Sequence, residues 1–114
     1  MNPLMSDLKT ELTQNGKTWT LKLMGHVNAG TAHRMWNVDN NLSLLNKIIQ
    51  SEANTLVIDL DQAKTVDSHG LRLLIDAQKK FSINNVQIIL KSPNPHLSRL
   101  FRVMQFDRLF AVEP

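Results

Sequence analysis

Apolar and polar positions change their period along this chain, and each change marks an element. Leu8, Thr10 and Leu12 alternate with polar residues, as do Trp19, Leu21 and Leu23, the period of two expected of strands with one covered face. Gln14-Asn15-Gly16-Lys17 separates the two runs, and Asn-Gly tolerates the positive φ angles of a tight turn, so the pair reads as a hairpin. Gly25 to Gly30, with His26 and Asn28 inside it, reads as a loop.

From Thr31 the step lengthens. Met35, Val38, Leu42, Leu45, Ile48 and Ile49 recur at three- and four-residue steps and predict one apolar stripe on a long helix. Asn37, Asn40, Asn41 and Lys47 fall on its watery face, and so many asparagines mean that packing, not propensity, must hold the helix. Thr55 to Leu60 is apolar on both faces, which predicts a central, covered strand.

A short loop then leads into a helix that opens on Ser68, just after Asp67, and carries Leu71, Leu74, Ile75 and Phe81 near one face. Val86 to Leu90 predicts another strand. Asn94 can cap the next helix with Pro95 at its first position, and Leu97, Leu100, Phe101 and Met104 form its stripe. A last short strand is expected near Leu109 to Val112. The order β-β-α-β-α-β-α-β predicts an α/β fold, a mixed sheet of four to five strands, parallel in its later part, with about three helices packed on it. Sites in such sheets lie where strands feed helix starts, and Ser68 lies at one of these ends.

At 114 residues, 42% hydrophobic and 20% charged, the chain has the proportions of one globular domain with a single core. It has no cysteine, which excludes disulfides, thiolate chemistry and cysteine–zinc sites. The charge of +3 invites a nucleic-acid reading, but the basic residues are scattered, with only Lys79 and Lys80 adjacent and few aromatics to stack bases. No direct nucleic-acid partner is expected. Residues 1–7 carry no basic-then-apolar leader, and no run approaches the roughly 20 apolar residues of a bilayer span. A cytoplasmic protein without membrane insertion is the expectation.

Enzyme chemistry finds little support. Asp67, Ser68 and His69 are the residue types of a hydrolase triad, but consecutive residues cannot align as a relay, and no Gly-x-Ser-x-Gly elbow is present. His26, His33, His69 and His96 lack metal-ligand spacing, and the four glycines are isolated, so neither a metal nor a nucleotide loop is expected. Met35, Met104, Phe81 and Phe101 fall at stripe positions and read as core. Trp19 reads as packed under the hairpin, and Trp36, beside the stripe, as part-exposed or as a partner contact. Peptide N–H groups at a helix start are unpaired and partly positive. Ser68 is therefore either a plain cap or a hydroxyl whose phosphorylated form the helix start favours; Asp67 can also cap.

Val57-Ile58-Asp59-Leu60, followed by Thr65-Val66-Asp67-Ser68-His69-Gly70-Leu71, resembles the signature of the STAS domain in anti-sigma factor antagonists. That signature is an apolar strand ending in Asp-Leu, an apolar pair, then Asp-Ser-x-Gly-Leu. Leu23-Met24-Gly25-His26-Val27-Asn28 with Thr31-Ala32 is similar to the family's Leu-x-Gly-Glu-Leu-Asp and Thr-Ala, and Asn94-Pro95 with Leu100-Phe101 to its last helix. Asn28 and His26 stand where the family has Asp and Glu, which makes this loop less acidic, and His69 where Ser or Thr is common.

The resemblance implies one STAS-like domain over 1–114, with 1–6 a loose N-terminus, and no enzyme activity and no cofactor. It implies a protein that binds an anti-sigma factor, often a serine kinase with a histidine-kinase-like ATPase fold, and is released when Ser68 is phosphorylated; a serine phosphatase resets it. Asp67, His69, Gly70, Leu71, Asn28 and Thr31 are the implied partner-binding residues. The alternative is a non-enzymatic STAS scaffold in a lipid-transport or stress-signalling complex, with no phosphorylation switch.

Overall fold

The computed structural model describes residues 7–32 and 44–114. The opening hairpin joins β1 (Leu8–Asn15) to β2 (Thr18–Val27), and α1 (Leu44–Gln50), β3 (Thr55–Asp59) and β4 (Ala63–Val66) follow. Next come α2 (Ser68–Ile83), β5 (Gln87–Lys91), α3 (Pro95–Val103), a 3-10 turn (Phe106–Arg108) and β6 (Ala111–Glu113). The strands form one mixed sheet in the order β1-β2-β3-β5-β6, with β4 pairing the end of β2. Only β1 and β2 run antiparallel; the other pairs are parallel, as the alternation of strands and helices predicted.

The hairpin turn is shifted by one residue from the reading above. Asn15 pairs with Thr18, which leaves Gly16 and Lys17 as the connection. Gly16 alone takes the positive φ, at 61°, as the first position of a glycine-led hairpin turn requires. Trp19 is buried beneath the hairpin, and its Nε1–H donates to Ser51 Oγ at 2.9 Å, just beyond the end of α1.

One core holds the sheet to the helices. Leu21, Leu23, Leu56, Ile58, Ile88 and Leu90 point to the same side, where they meet Leu44 and Ile48 of α1, Leu71, Leu74 and Phe81 of α2, and Leu97 and Phe101 of α3. Each such side chain contributes about 1.5–3 kcal/mol on burial, so the core dominates the local terms discussed below. Phe101 stacks on Phe106 with centroids 5.3 Å apart, which seats the 3-10 turn beneath the end of α3.

β3 is central, between β2 and β5, but only one of its faces is packed by this core. Leu56 and Ile58 are buried, whereas Thr55, Val57 and Asp59 are half-buried on the other face. Across that second face, cross-strand partners alternate in sign: Glu11, Lys22, Asp59, Lys91 and Glu113 stand in one row. Opposite charges on neighbouring strands favour this register.

Three further expectations change. Residues 63–66, read as part of a loop, form β4; four residues with only Ala63 and Val66 buried give too short a pattern to identify. Gly25 and His26, read as loop, belong to β2, because the strand changes partner there from β3 to β4. Met104 is 47% exposed, not core, because α3 ends at Val103 and Gln105 turns left-handed at φ 57°. Of the long helix, Leu44–Gln50 is observed; Thr31 lies before it in a loop, and Met35, Trp36, Asn37, Val38, Asn40, Asn41 and Leu42 lie outside the described residues.

Gly25 sits at φ 119°, and a Cβ there would strike the Asp7 carbonyl, which accepts from the His26 N–H at 3.0 Å. Asn94 caps α3 by accepting from the Leu97 N–H at 2.9 Å, while its Nδ2 donates to the carbonyls of Ala63 at 3.2 Å and Lys64 at 3.3 Å. Gly25→Ala should therefore destabilise by about 2 kcal/mol or more, from backbone strain and overlap together. Asn94→Ala should cost about 1–2 kcal/mol through the lost cap and the loosened β4. Urea unfolding followed by far-UV circular dichroism measures both.

Candidate functional site

The site is built where β2 ends and α2 begins. The Val27 carbonyl accepts the Asp67 N–H at 3.0 Å, so the strand end and the residue before the helix are joined directly. Gly70, one turn into α2, is buried, and a Cβ there would lie 2.7 Å from Val27 Cγ1 and 2.9 Å from Val66 Cγ1. Glycine is thus required by close approach, and it lets the helix start settle onto the strands.

Asp67 is the cap. Its backbone is extended, at φ −87° and ψ −176°, and its Oδ1 accepts the Gly70 N–H at 3.0 Å, the geometry that satisfies a third-position helix donor. The reading of Ser68 as the cap is therefore corrected. Ser68 is the first helical residue, its side chain is exposed, and its hydroxyl makes no hydrogen bond with the described residues. His69 is exposed beside it. Arg72, one turn further on, is also exposed, on the side of the helix where residues four apart are neighbours. Arg72 did not enter the sequence reading, although the i, i+4 spacing from Ser68 was present there.

The neighbouring loop is braced from within. Thr31 is fully buried; its Oγ1 donates to the His26 carbonyl at 2.6 Å and accepts the Asn28 N–H at 3.0 Å. Asn28 Oδ1 accepts the Gly30 N–H at 2.9 Å, and the Asn28 carbonyl accepts from Thr31 and Ala32. His26 Nδ1 lies 2.7 Å from Thr65 Oγ1, which ties β2 to β4 just before the helix.

The residues singled out from sequence therefore separate into two groups. Asp67, Ser68 and His69 are exposed at the helix start, with Asn28 half-buried in the adjoining loop. Thr31, Gly70 and Leu71 are buried and shape the site; their side chains offer no surface for docking. The Asp67 carboxylate is engaged by the Gly70 N–H, so the run Asp67-Ser68-His69 is a capped helix start and not a relay. Among the described residues no group of three metal-ligating side chains comes together, and no helix is long and apolar enough to cross a membrane. What the arrangement offers chemically is a hydroxyl with no hydrogen bond among the described residues, at the start of a capped helix, next to unpaired helix N–H groups and the Arg72 guanidinium one turn on.

Comparison with known proteins agrees with this architecture. Its fold is shared with an anti-sigma factor antagonist from Mycobacterium paratuberculosis, at 17% identity and a TM-score of 0.79 over 96% of this chain and 87% of that one. The anti-sigma factor antagonist SpoIIAA in its unphosphorylated form aligns at 14% identity with a TM-score of 0.72, covering 91% of this chain and 87% of that one. The Bacillus cell fate determinant SpoIIAA in its phosphorylated form aligns at 15% identity with a TM-score of 0.67, covering 93% and 90%. The STAS domain profile matches residues 9–114, nearly the whole described fold and all of the site, and this chain belongs to the STAS domain family.

Proposed function

We propose that this protein is an anti-sigma factor antagonist whose partner, an anti-sigma factor with serine-kinase activity, binds over the start of α2 and is released when Ser68 is phosphorylated. The observation that carries the reading is the free, exposed Ser68 hydroxyl at the first position of a helix that Asp67 already caps. Modification there removes no hydrogen bond among the described residues.

The electrostatics support a switch in binding. A phosphoserine adds about −1.5 to −2 charges at neutral pH beside Asp67. The helix start offsets this by about 0.3–1 kcal/mol, and Arg72, one turn away, adds a positive charge on the same side. A partner surface lying over Ser68 would instead meet a bulky hydrated anion. A loss of about 2.8 kcal/mol in that interface is a hundredfold in affinity. The cycle proposed runs in the cytoplasm, with a kinase of histidine-kinase-like ATPase fold adding the phosphate and a serine phosphatase removing it, and with no catalysis by this chain.

A second reading, a STAS scaffold without the switch, draws on the loop. His26 and Asn28 are neutral or weakly basic where acids are usual in the family, and both engage neighbouring groups of their own chain. In that reading Ser68 is simply an exposed surface serine.

Affinity capture from the host lysate separates the two. Wild type and Ser68→Ala should both retain an ATPase of the histidine-kinase type, and Ser68→Asp should lose it. With ATP, the captured kinase should phosphorylate wild type and not Ser68→Ala. Equal phosphate incorporation in Ser68→Ala would remove Ser68 as the site, and transporter or scaffold subunits captured equally by all three forms would establish the second reading. Asp67→Ala should cost about 1 kcal/mol of stability, measured by urea unfolding, because the cap is lost.

A further inference from the structure

The outer edge of β1 is the longest unpaired strand edge among the described residues. β1 runs eight residues beside β2 in unbroken register, contains no proline, and has no described strand on its other side. The other edges are short: β4 has four residues, and β6 has three, followed by Pro114. Edges of proteins are commonly blunted by brevity, proline, bulges or charged side chains, and β1 has only the last, Lys9 and Glu11.

The direction of its backbone groups follows from the ladder. The register places Asp7 opposite His26, and the Asp7 carbonyl accepts the His26 N–H at 3.0 Å. Hydrogen-bonded pairs alternate in an antiparallel ladder, so Lys9, Glu11, Thr13 and Asn15 also spend their backbone groups on β2. Leu8, Thr10, Leu12 and Gln14 therefore aim theirs outward, at the free edge.

We propose that this edge is a self-association surface, pairing antiparallel with β1 of a second copy about a two-fold axis at Thr10. That axis sets Thr10 opposite Thr10 and Leu8 opposite Leu12, all residues with outward groups, so each pair can exchange two main-chain hydrogen bonds. Between them, Lys9 of one copy falls opposite Glu11 of the other, twice, at the closely spaced positions where opposite charges attract. The two adjacent symmetric registers that keep outward groups paired set Lys9 against Lys9, or Glu11 against Glu11. Charge thus selects one register, as a self-complementary two-fold interface needs. Leu12, half-buried in one copy, gains cover from Leu8 of the other. The interface is small, under about 1,000 Å², so the association is weak and concentration-dependent.

Sedimentation equilibrium from about 10 µM to about 1 mM, the range of weak complexes, tests this. Wild type should dimerise. Lys9→Glu, which faces Met24 within its own sheet and leaves that pairing free of new repulsion, should weaken the dimer about tenfold or more. Glu11→Lys, which also loses the in-sheet attraction to Lys22, should weaken the dimer too, and an equimolar mixture of the two variants should recover association as a heterodimer, because each supplies the charge that the other lacks. Thr10→Pro removes an outward N–H without touching the ladder to β2, and should abolish the dimer while the far-UV spectrum persists. Wild type that stays monomeric throughout, or a dimer equally strong in Lys9→Glu and Thr10→Pro, would overturn the proposal.

Discussion

The close seating of Gly70 on Val27 and Val66 governs the geometry of the helix start. With hydrogen in place of a methyl group, α2 descends onto β2 and β4 until the Asp67 N–H reaches the Val27 carbonyl. That contact fixes the extended backbone at Asp67, and the extended backbone lets its carboxylate cap the Gly70 N–H. Ser68 is placed by its neighbours: Asp67 before it caps, Gly70 and Leu71 after it pack, and its hydroxyl faces solvent with no hydrogen bond among the described residues.

Burial and exposure therefore divide the site by role. Gly70, Leu71 and Thr31 fix its shape from inside, with Thr31 locking the loop after β2 through bonds to His26 and Asn28. Asp67, Ser68, His69 and Arg72 form the surface. A modification at Ser68 would break no hydrogen bond among the described residues and would face the unpaired N–H groups of the helix start. The same principle operates at the opposite side of the sheet's second strand, where β1 leaves alternate backbone groups unspent and its charges choose what can pair with them.

Most of the architecture was legible because periodicity and turn chemistry agreed. The alternation around Leu12 and Leu21 and the Gly16 turn gave the hairpin; Asn94 and Pro95 marked the start of α3, and the Leu97–Phe101 pair its buried face. β4 was not legible, because its four residues show no full alternation and it exists through pairing with a strand distant in sequence. Gly25 and His26 looked like loop residues, and only the change of partner along β2 shows why a glycine at φ 119° is needed within a strand. The identity of the cap was equally hidden: Asp67 and Ser68 are both good caps, and the choice depends on which backbone is extended, a property set by Val27 and Gly70. The motif located the site, and the structure assigned the parts within it.

In the proposed switch, phosphate at Ser68 changes what the domain binds and not whether it folds. The direct measurement is urea unfolding of protein carrying phosphoserine at position 68, compared with unmodified protein under the same conditions. The account predicts stabilities within about 1 kcal/mol of each other, since the helix start and Arg72 offset the repulsion from Asp67. A loss of several kcal/mol, or a fall in helical signal in the folded baseline, would contradict it and make the switch one of local unfolding.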